Sequence, residues 1–299
     1  MKGPALVLPL VLTCSTFSTA HAQITIGGGR IDVAFESKET GVPQSALFAW
    51  IETAARAVTK YYGRFPLAHV VVQVRSVTGD KIESGTTYGT HDGGLIRIAV
   101  GRGTTQAHFA ADWLMTHEMV HLAFPSVAEE HHWIEEGIAT YIEPIARARI
   151  GQLSAEKVWS DLVRDLPQGL PQSGDRGLDF THTWGRTYWG GALFCLLADI
   201  EIHRRTANTK GLDSALRGIL EAGGSLTVDW DLKRALKAGD SATRVPVLEE
   251  LYTQMRDAPH PVDLENLWRQ PGIERRDNRV TFKDEAPLAS VRRAIIYGE

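Results

Sequence analysis

The chain has 299 residues, of which 43% are hydrophobic, 8% aromatic and 23% charged, with 28 glycines and 13 prolines. These proportions are typical of a globular protein and exclude disordered, collagen-like and coiled-coil classes. The 32 Lys and Arg residues against 36 Asp and Glu residues give a net charge of -4. A slightly acidic protein has no general attraction to nucleic acid or anionic lipid, so neither is expected as a partner.

The first 22 residues differ in character from the rest. Lys2 is followed by an apolar run at 4–14 and by a small-x-small tripeptide at 20–22. The run is too short to span a bilayer, and the pattern is typical of a secretory signal peptide. We therefore predict cleavage after Ala22 and a periplasmic or secreted mature chain that begins at Gln23.

The two cysteines have different expected fates. Cys14 leaves with the signal peptide; a lipoprotein anchored there is a minor alternative, because Thr13 is larger than the small residue usual before a lipid-attachment site. Cys195 is then alone in an apolar run, which excludes an internal disulfide and predicts a buried, unreactive side chain. No later segment approaches 18 uninterrupted apolar residues, so no membrane span is expected.

Periodicity predicts two kinds of structure along the mature chain. Up to about residue 104 the predicted elements are a strand at 30–35, a helix at 43–62, and strands at 69–77 and 95–100. From residue 105 the predicted elements are helices near 106–124, 131–149, 155–165, 184–206, 211–222 and 245–257, a strand at 279–283 and a short segment at 288–297. This predicts an α+β fold, with a small β-containing part (23–104) packed on a mainly helical part (105–299) in one domain, 23–299.

The predicted helix over 106–124 contains the sequence HEMVH, with His117 and His121 four positions apart. Side chains at i and i+4 lie on one helix face, so both imidazoles can bind one metal ion. Glu118 points to an adjacent face, where it can take a proton from water that the ion activates. The alternative is a helix with two hydrogen-bonded, partly buried histidines. Apolar neighbours make this helix largely buried, so its histidines need a partner.

A zinc hydrolase of this type needs a third protein ligand and an open fourth position. The metzincin continuation is excluded, because Phe124 and Val127 stand where it requires Gly and His. A second predicted helix opens with HHWIEEGIATY at 131–141. An acidic residue there can complete a His-His-Glu set, and both Glu135 and Glu136 remain open. The apolar face of this helix does not favour Glu136.

HExxH followed by WxxEGxAxY resembles the gluzincins, the thermolysin-like clan of zinc metallopeptidases, and within it the glycyl aminopeptidase-like (peptidase MA-like) family. The resemblance covers about residues 85–225. It implies one zinc ion bound by His117, His121 and Glu136. It also implies that Glu118 is the general base for hydrolysis of a peptide or protein substrate, and that the helical part is thermolysin-like.

Two further expectations come from the resemblance. The segment TYWGGAL at 187–193 is similar to the family's Tyr-x-x-Gly-Ala segment, which implies that Tyr188 donates to the oxyanion, although Gly190 replaces the family's lysine. The alternatives are a tyrosine that only packs on the following helix, and His182 as a second donor. An edge strand that pairs with the substrate backbone is implied just before the zinc helix, at 95–100; an ordinary strand is the alternative.

The function expected from these motifs is that of a secreted or periplasmic zinc metallopeptidase. One alternative is a peptidase-like domain that only binds peptides or supports an assembly, against which the intact Glu118 argues. Another is a zinc hydrolase of a non-peptide amide or ester, which the sequence does not separate from a peptidase. The GxMxN sequence of the large aminopeptidases is absent, so exopeptidase specificity is not implied.

Overall fold

The computed structural model describes residues 22–37, 39–277 and 279–298. Apart from Ala22, the predicted signal peptide lies outside the described residues. In the first part of the chain the elements are β1 (Ala22–Ile26), β2 (Gly29–Phe35), α1 (Gln44–Tyr62), β3 (His69–Val77), β4 (Ile82–Thr90) and β5 (Gly93–Gly101).

The rest of the described chain is mainly helical. Its elements are α2 (Gln106–Ala111), α3 (Leu114–His121), α4 (His132–Arg149), α5 (Ala155–Asp165), α6 (Gly191–Arg205), α7 (Leu212–Glu221), α8 (Leu232–Thr243), α9 (Val247–Met255), α10 (Leu264–Arg269), β6 (Ile273–Arg276), β7 (Arg279–Phe282) and α11 (Ala289–Tyr297). Short 3-10 turns lie at Glu129–His131, Leu166–Gly169 and Leu178–Phe180, and a π-helical turn, Gly185–Gly190, leads directly into α6. The predicted α+β class is confirmed.

The strands of the first part form one sheet of order β1-β2-β3-β5-β4 within the described residues. The β2–β3 and β3–β5 pairs are parallel, whereas β1–β2 and β4–β5 are antiparallel. The strand predicted at 95–100 is β5, which lies between two neighbours and cannot accept a further strand. Its assignment as the edge strand is therefore wrong. The edge strand on this side of the sheet is β4, whose polar sequence IESGTTYGT carries little strand signal because few of its side chains are buried.

The helix predicted over 106–124 is two helices. Asp112 has an extended backbone, with ψ near 138°, and its carboxylate accepts hydrogen bonds from the Met115 amide at 3.1 Å and the Trp50 indole at 3.0 Å. A short acidic side chain that binds the amide three residues ahead starts a helix. The chain is therefore redirected at Asp112, and α3 begins at Leu114 with its own axis.

A continuous apolar core joins the two parts of the chain. One face of α1, including Leu47 and Ile51, packs against the sheet and against α3 and α4. Cys195 lies in the core, 1% exposed, and its burial raises the thiol pKa well above its ordinary value, as expected for an unreactive cysteine. Among the described residues, we find no helix with the length and apolar character needed to cross a membrane.

Candidate metal centre

The motif-bearing helix α3 lines a cleft between the sheet edge and the helical part. The cleft has a volume of about 970 Å³ and is bordered by β4, α3, the start of α4, Tyr188 and residues 226–229. Clefts of this size are typical of sites for small molecules or peptide segments. All of the predicted site residues, His117, Glu118, His121, Glu136 and Tyr188, line this cleft.

Three of these residues bring nitrogen and oxygen atoms to one point. His117 Nε2 lies 3.2 Å from Glu136 Oε2, and His121 Nε2 lies 3.7 Å from the same oxygen. One donor atom from each of the three side chains lies within 4.8 Å of the others. Two imidazole nitrogens and a carboxylate oxygen are a donor set that suits Zn²⁺, and three ligands leave a position open. The three residues can therefore hold one metal ion.

The two adjacent glutamates of α4 have different partners. Glu136 is buried and faces the two histidines of α3. Glu135 accepts a hydrogen bond from the Val127 amide at 3.2 Å and lies 3.0 Å from His132 Nδ1. Successive helix residues point about 100° apart, so only one of them can face α3. The geometry thus separates two candidates that the spacing left open.

The charges at this point match the needs of a cation. Burial and the neighbouring His117 lower the pKa of His121 to about 3, so its imidazole is neutral at pH 7. Burial acts to raise the pKa of Glu136, but the hydrogen bond to His117 and the electrostatic interactions with the surrounding histidines outweigh it and lower that pKa. A neutral imidazole and an ionised carboxylate are the forms that bind metal without first losing a proton.

Glu118 is held beside these three residues by the edge strand. The Thr87 hydroxyl lies 2.6 Å from Glu118 Oε2 and 2.9 Å from the Glu118 carbonyl oxygen, and it can donate to either. A Cβ atom at Gly85 would come within 2.7 Å of the Glu118 side chain, so the strand approaches this closely only because residue 85 is glycine. Burial raises the pKa of Glu118 and the Thr87 hydrogen bond opposes that rise.

Tyr188 lies on the π-helical turn, half-buried at the wall of the cleft. Its ring stacks 6.4 Å from that of His117 and 5.7 Å from that of Trp184. Burial, together with the charges of Glu136 and Glu118, raises the pKa of Tyr188, so its hydroxyl is a proton donor at neutral pH. His182 is exposed and lines a separate cavity with Asp179 and Tyr252, so it is wrong as a second donor.

His132 and Thr87 are site residues that sequence reasoning missed. His132 Nε2 lies 3.4 Å from Glu136 Oε1, on the far side of the carboxylate from the α3 histidines. Its position four residues before Glu136 on a helix was a usable signal. No pattern in the sequence indicated Thr87, because its role depends on the packing of β4 against α3, which brings it next to a residue 31 positions away.

The position of Glu136 depends on two packing features around α4. A Cβ atom at Gly137 would lie 2.4 Å from the backbone of Gly191. The absence of a side chain at Gly137 therefore lets the backbones of α4 and α6 come into direct contact. At the start of α4, the Trp133 indole donates to Asp179 Oδ1 at 2.8 Å. The Tyr252 hydroxyl donates to the other oxygen of that buried carboxylate at 2.8 Å. These contacts fix the first turn of α4.

A second cavity of about 460 Å³ adjoins the first behind His117 and Tyr188. It lies between α4, α5 and the π-helical turn, and Trp113, Trp184 and Trp189 contribute to its wall. Trp113 and Trp184 are 52% and 60% exposed, which is unusual for indole rings. An aromatic wall that remains open to solvent is suited to an apolar group of a ligand.

Comparison with known proteins gives matches at the level of structure only. No family model and no curated protein matches the sequence. An aminopeptidase N family protein from Idiomarina loihiensis superposes with a TM-score of 0.64 at 11% identity, over 86% of this chain and 49% of that one. The M1 zinc metallopeptidase from Deinococcus radiodurans gives a TM-score of 0.51 at 15% identity, over 81% of this chain and 53% of that one.

A mutant of the Deinococcus enzyme solved with the substrate Tyr-Ser-Ala gives a TM-score of 0.50 at 14% identity, over 81% of this chain and 54% of that one. This chain spans about half the length of the solved structures that it matches. Identities this low show a common fold and nothing narrower. The chain has the fold of the M1 zinc metallopeptidases, which agrees with the gluzincin fold that the motifs implied.

Proposed function

We propose that this protein is a zinc metallopeptidase that hydrolyses peptide bonds with Glu118 as the general base. The single observation that carries the proposal is the convergence of His117, His121 and Glu136, with the Glu118 carboxylate next to them in an open cleft. The motif places the histidines four residues apart, and the third donor comes from a different helix.

The donor set fits one Zn²⁺ ion held by His117, His121 and Glu136. When bound, the ion supplies a Lewis acid that polarises the scissile carbonyl and makes water more acidic. Glu118 accepts the proton of the attacking water and delivers it to the leaving amine. A pKa raised by burial favours the first half of this transfer, because such a carboxylate takes up a proton more readily than an exposed one.

Tyr188 is the proposed donor to the oxyanion of the tetrahedral intermediate. Its hydroxyl is protonated at neutral pH, so it can donate a hydrogen bond to the oxyanion while it keeps its proton. This hydrogen bond stabilises the negative charge as it develops. Tyr188 and β4 line the same cleft, which is the proposed space for the substrate. His132, on the outer side of Glu136, steadies that carboxylate.

The proposed substrate class follows from two surfaces next to the metal centre. Among the described residues, β4 pairs on one side only, with β5, so its other edge offers amide and carbonyl groups to an extended peptide. The tryptophan-lined cavity beside Tyr188 takes a large apolar side chain adjacent to the bond that is cleaved. We therefore propose peptides or unfolded protein segments with a bulky apolar residue at that position as substrates.

The proposal is tested by zinc analysis together with digestion of an unlabelled peptide mixture, read out by mass spectrometry. Stoichiometric zinc, cleavage that stops with a chelator, and cleavage that is lost in Glu118→Gln would support it. Zinc without cleavage of any peptide would contradict the peptidase function and favour a binding domain. Turnover of simple amides or esters alone would place the enzyme among non-peptide hydrolases.

We also propose export to the periplasm or the extracellular space, on the pattern of residues 1–22. The intact mass of the protein recovered from the cell envelope or medium should correspond to a chain that begins at Gln23. Recovery of the protein with residues 1–22 still attached, or with a lipid on Cys14, would contradict cleavage after Ala22.

A further inference from the structure

The turn that carries Tyr188 has an unusual geometry. Residues Gly185–Gly190 form one π-helical turn, a conformation that is rare and is frequently found at functional sites. Residues two apart on a helical turn point to roughly opposite sides. Tyr188 therefore faces the cleft while Arg186, 2% exposed, points into the protein. Because Arg186 and Tyr188 lie on the same turn, the contacts that fix Arg186 also fix the position of Tyr188.

The partner of Arg186 is Asp175, an acidic residue on the loop at 166–184, which connects α5 to the π-helical turn. Arg186 Nε lies 2.8 Å from Asp175 Oδ2, with the two side chains 2% and 1% exposed. At this distance the two opposite charges form a buried ion pair. Asp175 Oδ1 accepts from the Gly177 amide at 2.8 Å, and Arg186 Nη1 donates to the Gly169 carbonyl. Both charged groups are thus fixed to the loop backbone.

The loop and the turn also contact each other directly through their backbones. A Cβ atom at Gly169 would lie 2.3 Å from the Trp189 carbonyl group, and one at Gly185 would lie 2.5 Å from the Gln168 carbonyl oxygen. No side chain separates the two segments at these points. A small movement of the loop must therefore move the turn, since packed groups at contact distance cannot absorb it.

We propose that the Asp175–Arg186 ion pair is a positioning pair that fixes the Tyr188 hydroxyl relative to the residues of the metal centre. Neither Asp175 nor Arg186 lines the cleft, so neither can touch the substrate. Both residues therefore act through the turn, and neither is catalytic. The proposal rests on the proposed function for the role of Tyr188. A buried ion pair contributes little net stability compared with apolar residues, which leaves a defined geometry as the reason for its presence here.

The first test measures the turn itself, in the metal-free protein. Asp175→Asn keeps the volume of the side chain and removes its charge. Amide hydrogen exchange within 185–190, followed by mass spectrometry, should become at least about tenfold faster, because the turn opens more often. Asp213→Asn is the matched control: it breaks the buried pair with Arg149 at 2.8 Å and should lower the melting temperature without changing exchange at 185–190.

The second test is a double-mutant cycle with Tyr188→Phe. In the zinc-loaded enzyme, Asp175→Asn should lower kcat on the order of 10- to 100-fold, with zinc content and KM unchanged, because a misplaced donor affects the transition state. In the Tyr188→Phe background the same change should alter kcat less than about twofold, since there is no hydroxyl left to misplace. If Asp175→Asn does not fold, the apolar pair Asp175→Leu with Arg186→Met replaces it, with the same expectations.

Two results would overturn the positioning role. One is unchanged exchange at 185–190 when the ion pair is removed. The other is an equal loss of kcat with and without the Tyr188 hydroxyl, which would show that Asp175 acts elsewhere. Full activity of Tyr188→Phe alone is a separate outcome: it removes Tyr188 from the proposed mechanism, and the exchange experiment still decides whether the pair holds the turn.

Discussion

The two adjacent glutamates of α4 offer the sharpest test of the metal centre. Glu136→Gln and Glu135→Gln remove the same charge from neighbouring positions and keep the side-chain shape, so general effects of charge cancel in the comparison. Only Glu136 contacts His117 and His121, whereas Glu135 is occupied by the Val127 amide and His132. We expect Glu136→Gln to lose most of its zinc and Glu135→Gln to retain it.

The magnitude follows from the position of the Glu136 carboxylate. Opposite unit charges about 4 Å apart in an environment of effective dielectric constant about 20 attract by about 4 kcal/mol. A carboxylate whose oxygen lies 3.2 Å and 3.7 Å from the other two donors is well within that range of a shared ion. Loss of about 4 kcal/mol corresponds to roughly 1,000-fold weaker zinc binding. The partly exposed Glu135 should change zinc affinity by less than about fivefold.

The assay is competition for zinc with a chromophoric chelator, with the melting temperature of each metal-free variant as the control for folding. Neither metal-free variant should be much less stable than the parent, because glutamine retains an acceptor for the surrounding donors. Equal losses of affinity would show that the effect is general electrostatics. A larger loss in Glu135→Gln would refute the assignment of the third ligand and the alignment that suggested it.

Further predictions concern the base, its strand partner, the oxyanion donor and pH. Glu118→Gln should keep zinc and lose on the order of 100-fold or more in turnover; unchanged turnover would make the motif structural. Thr87→Val removes a donor to Glu118 that lowers the carboxyl pKa, so the acid limb of the pH–rate profile should move to higher pH, by one to two units for a bond worth about 1.5–3 kcal/mol, with Thr87→Ser restoring it. Tyr188→Phe should lower kcat about 100- to 1,000-fold with KM nearly unchanged; normal turnover at full zinc content would exclude its role. The pKa of His121 is about 3 in the folded protein, so between pH 6.5 and 3 the unfolded chain binds the extra proton. The metal-free protein should therefore lose stability as pH falls through that window, by up to about 1.4 kcal/mol per unit in urea unfolding. Because the raised pKa of Glu118 acts in the opposite direction, the slope is compared with that of His121→Asn, which should be flatter.

Local sequence was enough to predict the parts of the site that lie within one helix. His117 and His121 meet because residues four apart stack on any α-helix, whatever surrounds it. The α+β class was also predictable, because strand alternation in the first hundred residues and helical periodicity afterwards are properties of short windows. The same windows failed at Asp112, where a side-chain cap divides one predicted helix into two.

Contacts between distant segments decided the rest, and these have no local signature. Glu136 rather than Glu135 faces the histidines because of how α4 packs against α3, and the close approach of Gly137 and Gly191 holds α4 against α6. β4 rather than β5 is the edge strand because parallel pairing places β5 next to β3, and a polar edge strand shows little hydrophobic alternation. Thr87 reaches Glu118, and Asp175 reaches Arg186, only after the chain has folded. Sequence patterns report which residues share a face of one element, whereas burial of the apolar faces selects which elements meet, and that selection is made by the whole core.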